Sequence, residues 1–480
     1  MSNIKEKNYG KQTSPLVKNK EITTEKTKDV IIIGSGIAGL TAAIFLAREG
    51  LDTMVLEQSS TIGGRARTSV LDGFYLNQGP HALYLSGAGT KILKEIGIKY
   101  TGNPPPSSSY LVKDDVLYPQ LQGFSSILST KLLKDLRSKI EAIRFFMSLR
   151  KMDFSKYQNI TLEQWLIENI HSKDLSDLIK TLCRVATYSK DSAVQSAGTA
   201  LEQLQLAASV GVLYMDKGWQ TIINGLMKEA QKAKIDIVTS KRVIEIQQIT
   251  EKETSRQTES HVHNSRWKVL LSDGNSIISS KVIIAASPNV VGDLLKNIKS
   301  QYVSNIFNKA MLPVRAACLD VALKKLPHPD KPVAFAIDKP LYLSVHSLSA
   351  DLVLEKGRGE LIHVMKYQSS FEISNPESDR LEMEHFLDTV QPGWREFVIK
   401  QRYLPNLIVY NLLVTAAQGG VKGRPSPKIN DIQGLYLVGD WIGQEGLLAD
   451  ASFASAKQAA MEIIKEEIKI PKQLASVIEN

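Results

Sequence analysis

The residues best placed to do chemistry lie in one stretch, Asp29–Glu57, which reads DVIIIGSGIAGLTAAIFLAREGLDTMVLE. Gly34, Gly36 and Gly39 follow the all-apolar run Val30–Ile33. They open a segment whose Leu40, Ala43, Ile44 and Ala47 recur at helical spacing. A strand that feeds a glycine turn and then a helix makes a cradle for an anion. Gly34 permits the tight turn, Gly36 lets the backbone approach a pyrophosphate, and Gly39 lets helix pack on strand. The backbone around Ser35, Ile37 and Ala38 offers N–H groups at the helix N-terminus. Glu57 ends a second strand, Thr53–Leu56, where an acid can hold ribose hydroxyls, with Gln58 beside it. An ordinary strand–helix–strand unit with a glycine turn is the plainer alternative. The acid at this interval favours a dinucleotide site.

Three further stretches extend the pattern. Gly63-Gly64-Arg65 follows the acid directly and suits a second approach to a diphosphate, with Arg65 as counter-charge. Asp72–Tyr84 carries Gly79-Pro80-His81. Near the C-terminus, Gly434–Trp441 is a short strand ending in Gly439-Asp440, followed by Gly446–Ser452 (GLLADAS) and a helix rich in small residues. Together, GSGIAG…E…GGRART resembles the flavin-dependent superfamily of amine oxidases, protoporphyrinogen oxidases and phytoene (carotenoid) desaturases. The Gly-Pro-His stretch and the GLLADAS ending are most similar to its desaturase-like members. The resemblance covers nearly the whole chain after residue 28 and is sharp in these segments.

That resemblance implies FAD, with Gly79, Pro80 and His81 passing near its ring and the backbone of Val243 facing its adenine. Ala285 lies on a strand returning to the cofactor, and Gly439 and Asp440 take the ribityl or diphosphate region. Leu448 and Ala451 open a helix whose N-terminus steadies negative charge on the ring. Neither Cys183 nor Cys318 lies where some relatives attach flavin, so binding is expected to be non-covalent. Catalytic residues are not assigned; His81, Tyr403 and Trp441 are the candidates near the flavin, although a lone histidine is as often structural. No metal site is expected, and His261 and His263 read as loop residues. The implied reaction takes a hydride from an organic, apolar substrate, by C–C desaturation or C–N oxidation. Oxygen, a quinone or another acceptor then takes the electrons. Protoporphyrinogen oxidation, a flavin-dependent isomerase or mutase without net redox turnover, and flavin kept for structure alone are the alternatives. Gly63-Gly64-Arg65 and Gly439-Asp440 argue against a simple NAD dehydrogenase.

The expected fold class is α/β: a Rossmann-like FAD-binding domain assembled from discontinuous segments, plus an α+β substrate domain of mixed sheet and helices. The FAD-binding part is expected at 29–100, 212–299 and 419–470, and the substrate part at 101–211 and 300–418. Residues 1–28 read as a disordered basic leader and 471–480 as a tail. The segment 124–210 is helical in pattern, whereas 300–418 is β-rich. Lys131–Lys151 places Leu132, Leu133, Leu136, Ile140, Ile143 and Met147 on one side and seven basic residues against two acids elsewhere. The commoner reading is a core stripe; a helix lying on an anionic membrane is the other. Residues 250–265 are expected at a hairpin tip.

The 480 residues carry a net charge of +9, with no basic stripe interleaved with aromatics. Nucleic acid is therefore not an expected partner. Two distant cysteines, no apolar run near membrane-spanning length and no signal-peptide pattern lead to an expected cytoplasmic location. Contact with the inner face of the membrane stays open, as does the oligomeric state.

Overall fold

The computed structural model describes residues 27–121, 123–249, 266–309, 311–355 and 357–478. The leader before Thr27 and the hairpin tip with His261 and His263 lie outside the described residues. Three elements, β1 (Thr27–Ile33), α1 (Ile37–Arg48) and β2 (Thr53–Leu56), form the opening unit. β1 lies between two parallel neighbours, β2 and the strand Ser276–Ile284. Its successive side chains go to opposite faces. Val30 and Ile32 pack with Leu40, Ala43 and Ile44 of α1 and Phe453 of the last helix. Ile31 and Ile33 pack with Trp267, Val282 and Trp441 on the other face. Because both faces are covered, the strand reads as an unbroken apolar run.

The sheet order is Asp236–Val238, β2, β1, Ser276–Ile284, Arg266–Leu271 and Val243–Ile249, with Leu435–Leu437 also paired to Ser276–Ile284. Leu435–Leu437, β2 and β1 all run parallel within it. Segments almost four hundred residues apart thus bring their strand C-termini to one edge, where open parallel sheets bind ligands. The last helix, Leu448–Ile478, leaves the same edge and continues past the expected boundary at 470.

The second sheet has the order Val398–Tyr410, Val314–Leu323, Glu360–Gln368, Leu341–Val345, Val333–Ala336, Tyr110–Lys113 and Val116–Pro119. Its last two strands lie in a stretch for which the sequence carries no strand expectation. Whereas α2 (Ala88–Ile96) packs against the last helix in the core of the first sheet, α3 (Phe124–Ser129) and α4 (Leu136–Leu149) precede the helices Leu162–Asn169, Lys173–Thr187 and Ala197–Ser209. Asp135, Thr161, Ser172 and Ser196 cap four of them by accepting first-turn N–H bonds.

The core-stripe expectation for Lys131–Lys151 holds for Leu132, Leu133 and, partly buried, Ile143, and is corrected for the rest. Leu132 and Leu133 are buried ahead of α4, but the helix itself covers Ser138, Ala142, Phe145 and Leu149. Leu136, Ile140 and Met147 face outward. Glu141 accepts from the N–H groups of His171 (2.8 Å) and Ser172 (3.0 Å), which turns its side of the helix inward. Among the described residues no helix is long and apolar enough to cross a membrane.

Candidate cofactor and substrate site

Where β1 gives way to α1, Gly34 has φ +108°, and a Cβ there would lie 2.5 Å from the Ala285 carbonyl oxygen. A Cβ on Gly39 would lie 2.0 Å from the Gly34 carbonyl oxygen. Both positions need glycine for the protein's own packing. Gly36 is different. Its φ is −72°, as the N-cap of α1 with no side-chain cap, and an added Cβ would meet nothing within 4 Å. Nothing in the fold asks for glycine there, so the open space and the uncapped N–H groups form a cradle for a ligand. Gly63 (φ +114°) and Gly64 (φ +54°) turn against it, with the Gly63 N–H donating to the Ser35 carbonyl at 3.1 Å.

Glu57 is held at the rim of this cradle. Its Oε2 accepts from the Ser35 N–H (2.9 Å) and Oγ (2.6 Å), and its Oε1 accepts from the Ser59 N–H (2.8 Å). An ionised carboxylate offers about four acceptor sites, so capacity for a hydroxyl remains. Arg65 pairs with Asp440 at 2.8 Å and donates to the Val409 carbonyl at 3.0 Å. Asp440 also accepts from the side-chain amide of Asn411 at 2.8 Å. The two residues expected to meet the diphosphate or ribityl region therefore tie the second glycine turn to the Gly439-Asp440 turn.

Among the cofactor candidates, all but Gly39 and Ala451 line a single cavity of about 670 Å³. Gly39 lies against Gly34 and Ala451 is fully buried behind the wall. A second cavity, of about 820 Å³, abuts the first. Pro80, His81, Ala82, Tyr84, Tyr188 and Met365 line both. Leu178, Leu182, Val185, Leu204, Phe335 and Tyr367 make much of the second wall, and no carboxylate belongs to its described lining. Its cations are Arg150 and Lys151, which follow Met147 in the lining.

His81 stands at the junction. Its Nδ1 lies 2.9 Å from the Gly79 carbonyl oxygen, which can only accept, so this nitrogen carries the proton. Burial lowers the His81 pKa to about 4, leaving the ring neutral at pH 7. The ring leans on Trp219, with centroids 5.0 Å apart. Tyr84, pushed up to about 12 by burial, donates to the Ala186 carbonyl at 2.9 Å.

Tyr403 and Trp441 do not join them. Tyr403 turns away and donates to the Pro376 carbonyl at 2.5 Å. Trp441 is fully buried and donates to the Ala286 carbonyl at 3.0 Å. The neighbours Asn406 and Leu407 reach the cofactor cavity instead. Ala316 pairs with Leu407 while Cys318 pairs with Leu404. The extra residue in the Val398–Tyr410 strand is a bulge that re-aims the side chains beyond it.

A buried polar row escaped the sequence reading. Ser344, His363, Asp320 and Arg402 stand opposite one another across four strands. Arg402 takes the Asp320 carboxylate through Nε (2.7 Å) and Nη2 (2.5 Å), and His363 Nδ1 lies 2.5 Å from it. Burial works against this carboxylate, but His363 and Arg402 outweigh it and hold its pKa below the usual range. His346, in the substrate-cavity wall, meets His363 edge-on and stacks on Tyr214 with centroids 3.6 Å apart. The available signal was one Asp in an otherwise apolar ten-residue strand after Arg315. Cys318, Asp320 and His363 place ligand atoms within 4.8 Å of one another, but the Arg402 guanidinium on that carboxylate opposes a cation.

Comparison with known proteins shows the family and the fold. The sequence profile of flavin containing amine oxidoreductases matches residues 37–315. An L-amino-acid oxidase of Crotalus adamanteus is 27% identical over 264 residues, which are 48% of this chain and 48% of that protein. The chain thus spans about half the length of such curated relatives. Hydroxyneurosporene desaturase of Rubrivivax gelatinosus is 42% identical over 55 residues, 12% of this chain and 10% of that one. The crystal structure of an oxidoreductase from Methanosarcina mazei superposes with a TM-score of 0.69 at 18% identity, covering 90% of this chain and 100% of that one; this likeness speaks to fold alone.

Proposed function

The chain belongs to the family of flavin containing amine oxidoreductases, and on that footing we propose that it is an FAD-dependent oxidoreductase that dehydrogenates an apolar organic substrate. The observation that carries this reading is the junction. A glycine-lined cradle at a helix N-terminus abuts an apolar cavity, and six residues are common to both walls. Bound non-covalently in the cradle, FAD would supply acceptance of a hydride from the substrate and passage of the two electrons to oxygen, a quinone or another acceptor.

The chain's residues do the rest. Gly36 and Gly64 admit a diphosphate, the N–H groups opening α1 bind it, and Glu57 takes ribose hydroxyls. Cys183 and Cys318 are both buried thiols outside the cradle's described lining, in keeping with non-covalent binding. Pro80, His81, Tyr188 and Met365 position the reacting carbon against the cofactor side of the junction. Neutral His81 takes up no positive charge near pH 7 and so leaves the junction apolar. Leu178, Leu182, Val185 and Phe335 exclude water. The absence of any carboxylate in the described lining favours C–C desaturation over oxidation of a cationic amine, which would need a counter-charge on entering an apolar space.

Anaerobic mixing with a polyene hydrocarbon, a primary amine and a porphyrinogen tests the reading. The polyene is expected to bleach the flavin and leave with two fewer hydrogens, one equivalent of acceptor being reduced per turnover on reoxidation. Bleaching by the amine alone would overturn the substrate assignment. A rearranged polyene with unchanged hydrogen count and no acceptor reduction would establish the isomerase alternative.

A further inference from the structure

The helix α4 has two apolar faces and the fold covers only one. Ser138, Ala142, Phe145 and Leu149 pack inward. Leu136, Ile140 and Met147 follow each other at i, i+4 and i+11, a single stripe on the opposite side, whereas Ile143 between them packs partly against the core. Along it Leu136 is 65% exposed, Ile140 41% and Met147 58%, with Leu128 of the adjoining α3 at 50%. Basic residues border the stripe: Arg137, Lys139 and Arg144 on α4, Lys131 and Lys134 before it, Arg150 and Lys151 after it. The acids of the segment are turned elsewhere. Asp135 caps the helix, accepting from Ser138, and Glu141 is bound to the His171–Ser172 backbone. Among the described residues none of Lys131, Lys134, Arg137 or Arg144 enters an ion pair.

The stripe also leads somewhere. Met147 belongs both to the stripe and to the apolar cavity's lining, which its neighbours Phe146, Arg150 and Lys151 and, from α3, the buried Ile127 also share. An apolar surface rimmed by cations, continuous with the entrance of an apolar cavity, matches an anionic bilayer in both respects. Acyl chains receive the stripe and headgroups receive the lysines and arginines.

We propose that α4 docks the protein on an anionic lipid bilayer, seating Leu136, Ile140, Met147 and Leu128 at the headgroup boundary so that substrate passes from the membrane into the cavity beside Met147. The docking stands on the surface of α4; the delivery clause rests on the apolar-substrate reading above. Attachment of this kind is reversible and weakens as salt shortens the Debye length to about 3 Å at 1 M.

The test is flotation of the full chain with vesicles of phosphatidylglycerol and phosphatidylcholine against vesicles of phosphatidylcholine alone, at low and high salt. Binding is expected to the anionic vesicles at low salt. Leu136→Glu/Ile140→Glu is expected to weaken it by about tenfold or more, with unfolding temperature and turnover of detergent-dispersed substrate unchanged. Lys134→Glu/Arg137→Glu is expected to abolish the preference for anionic lipid. A chain that stays unbound at low salt, or binds equally well as the Leu136/Ile140 variant, overturns the proposal. Concentration-dependent dimerisation lost in that variant would also overturn it, making the stripe an interface between copies. Vesicle binding with no bleaching by any polyene would support docking and overturn only the substrate reading.

Discussion

At the scale of single residues, Gly34, Gly36 and Gly39 have separate reasons to be glycine. Two are fixed by close approach of protein backbone, and the third only by the space the fold leaves open beside it. Asp450 poses a different demand. It accepts the Gly89 N–H at 2.7 Å on one oxygen while the other is buried without a partner. Burial raises its pKa from 3.8 to about 6. An acid with a raised folded-state pKa takes up a proton on folding, so the contribution of Asp450 to stability is most favourable below pH 4 and falls as pH rises to about 6. The loss amounts to about 3 kcal/mol at neutral pH. Asp450→Asn keeps an acceptor for Gly89 and removes the charge. Its urea unfolding free energy is expected to lack this downward slope between pH 4 and 6, making it the more stable protein at pH 7. A slope equal to that of the parent would refute the assignment.

Elements show how far the sequence could be read. β2 was legible to the residue, β1 from Val30 although it begins at Thr27, and α1 as an element, because a strand buried on both faces, a glycine turn and a helix each leave their own pattern. The Asp273-Gly274 turn was legible too, since Gly274 sits at φ +85° as such a turn requires. For α4 the period was legible but the covered side was not. Periodicity identifies a stripe, whereas the packing partner, here the helix Lys173–Thr187, decides whether the stripe is used. Tyr403 was misplaced for a related reason. A bulge of one residue reverses which face of a strand looks into a cavity, and nothing in Arg402–Asn406 announces it. The buried row also belongs at this scale, because it exists only through the pairing of four strands. Asp320→Ala leaves the Arg402 guanidinium and His363 without their shared acceptor. It is expected to cost about 3 kcal/mol in urea unfolding; a loss under about 0.5 kcal/mol would mean that the row contributes little.

Across the whole molecule, the cradle is made from segments beginning at Thr27 and ending after Leu448, so it is complete only when both ends of the described chain are in place. The pairing of Arg65 with Asp440 joins those ends directly. The glycine motifs and the Gly439-Asp440 signature made this half of the site legible. The substrate half was not, because its wall is drawn from helices and from a sheet whose inward residues are ordinary Leu, Val, Phe and Tyr, without a motif of their own. Its apolar character emerged only with the cavity.

The most direct test of the account is the visible absorbance of the purified chain before and after denaturation, compared with Gly36→Val at equal folded content. The account predicts flavin bands in the parent that are released on denaturation. In the variant it predicts their loss by about tenfold or more, because a branched side chain fills a space the protein itself leaves vacant. A Gly36→Val protein that folds and carries the parent's full complement of flavin would contradict it.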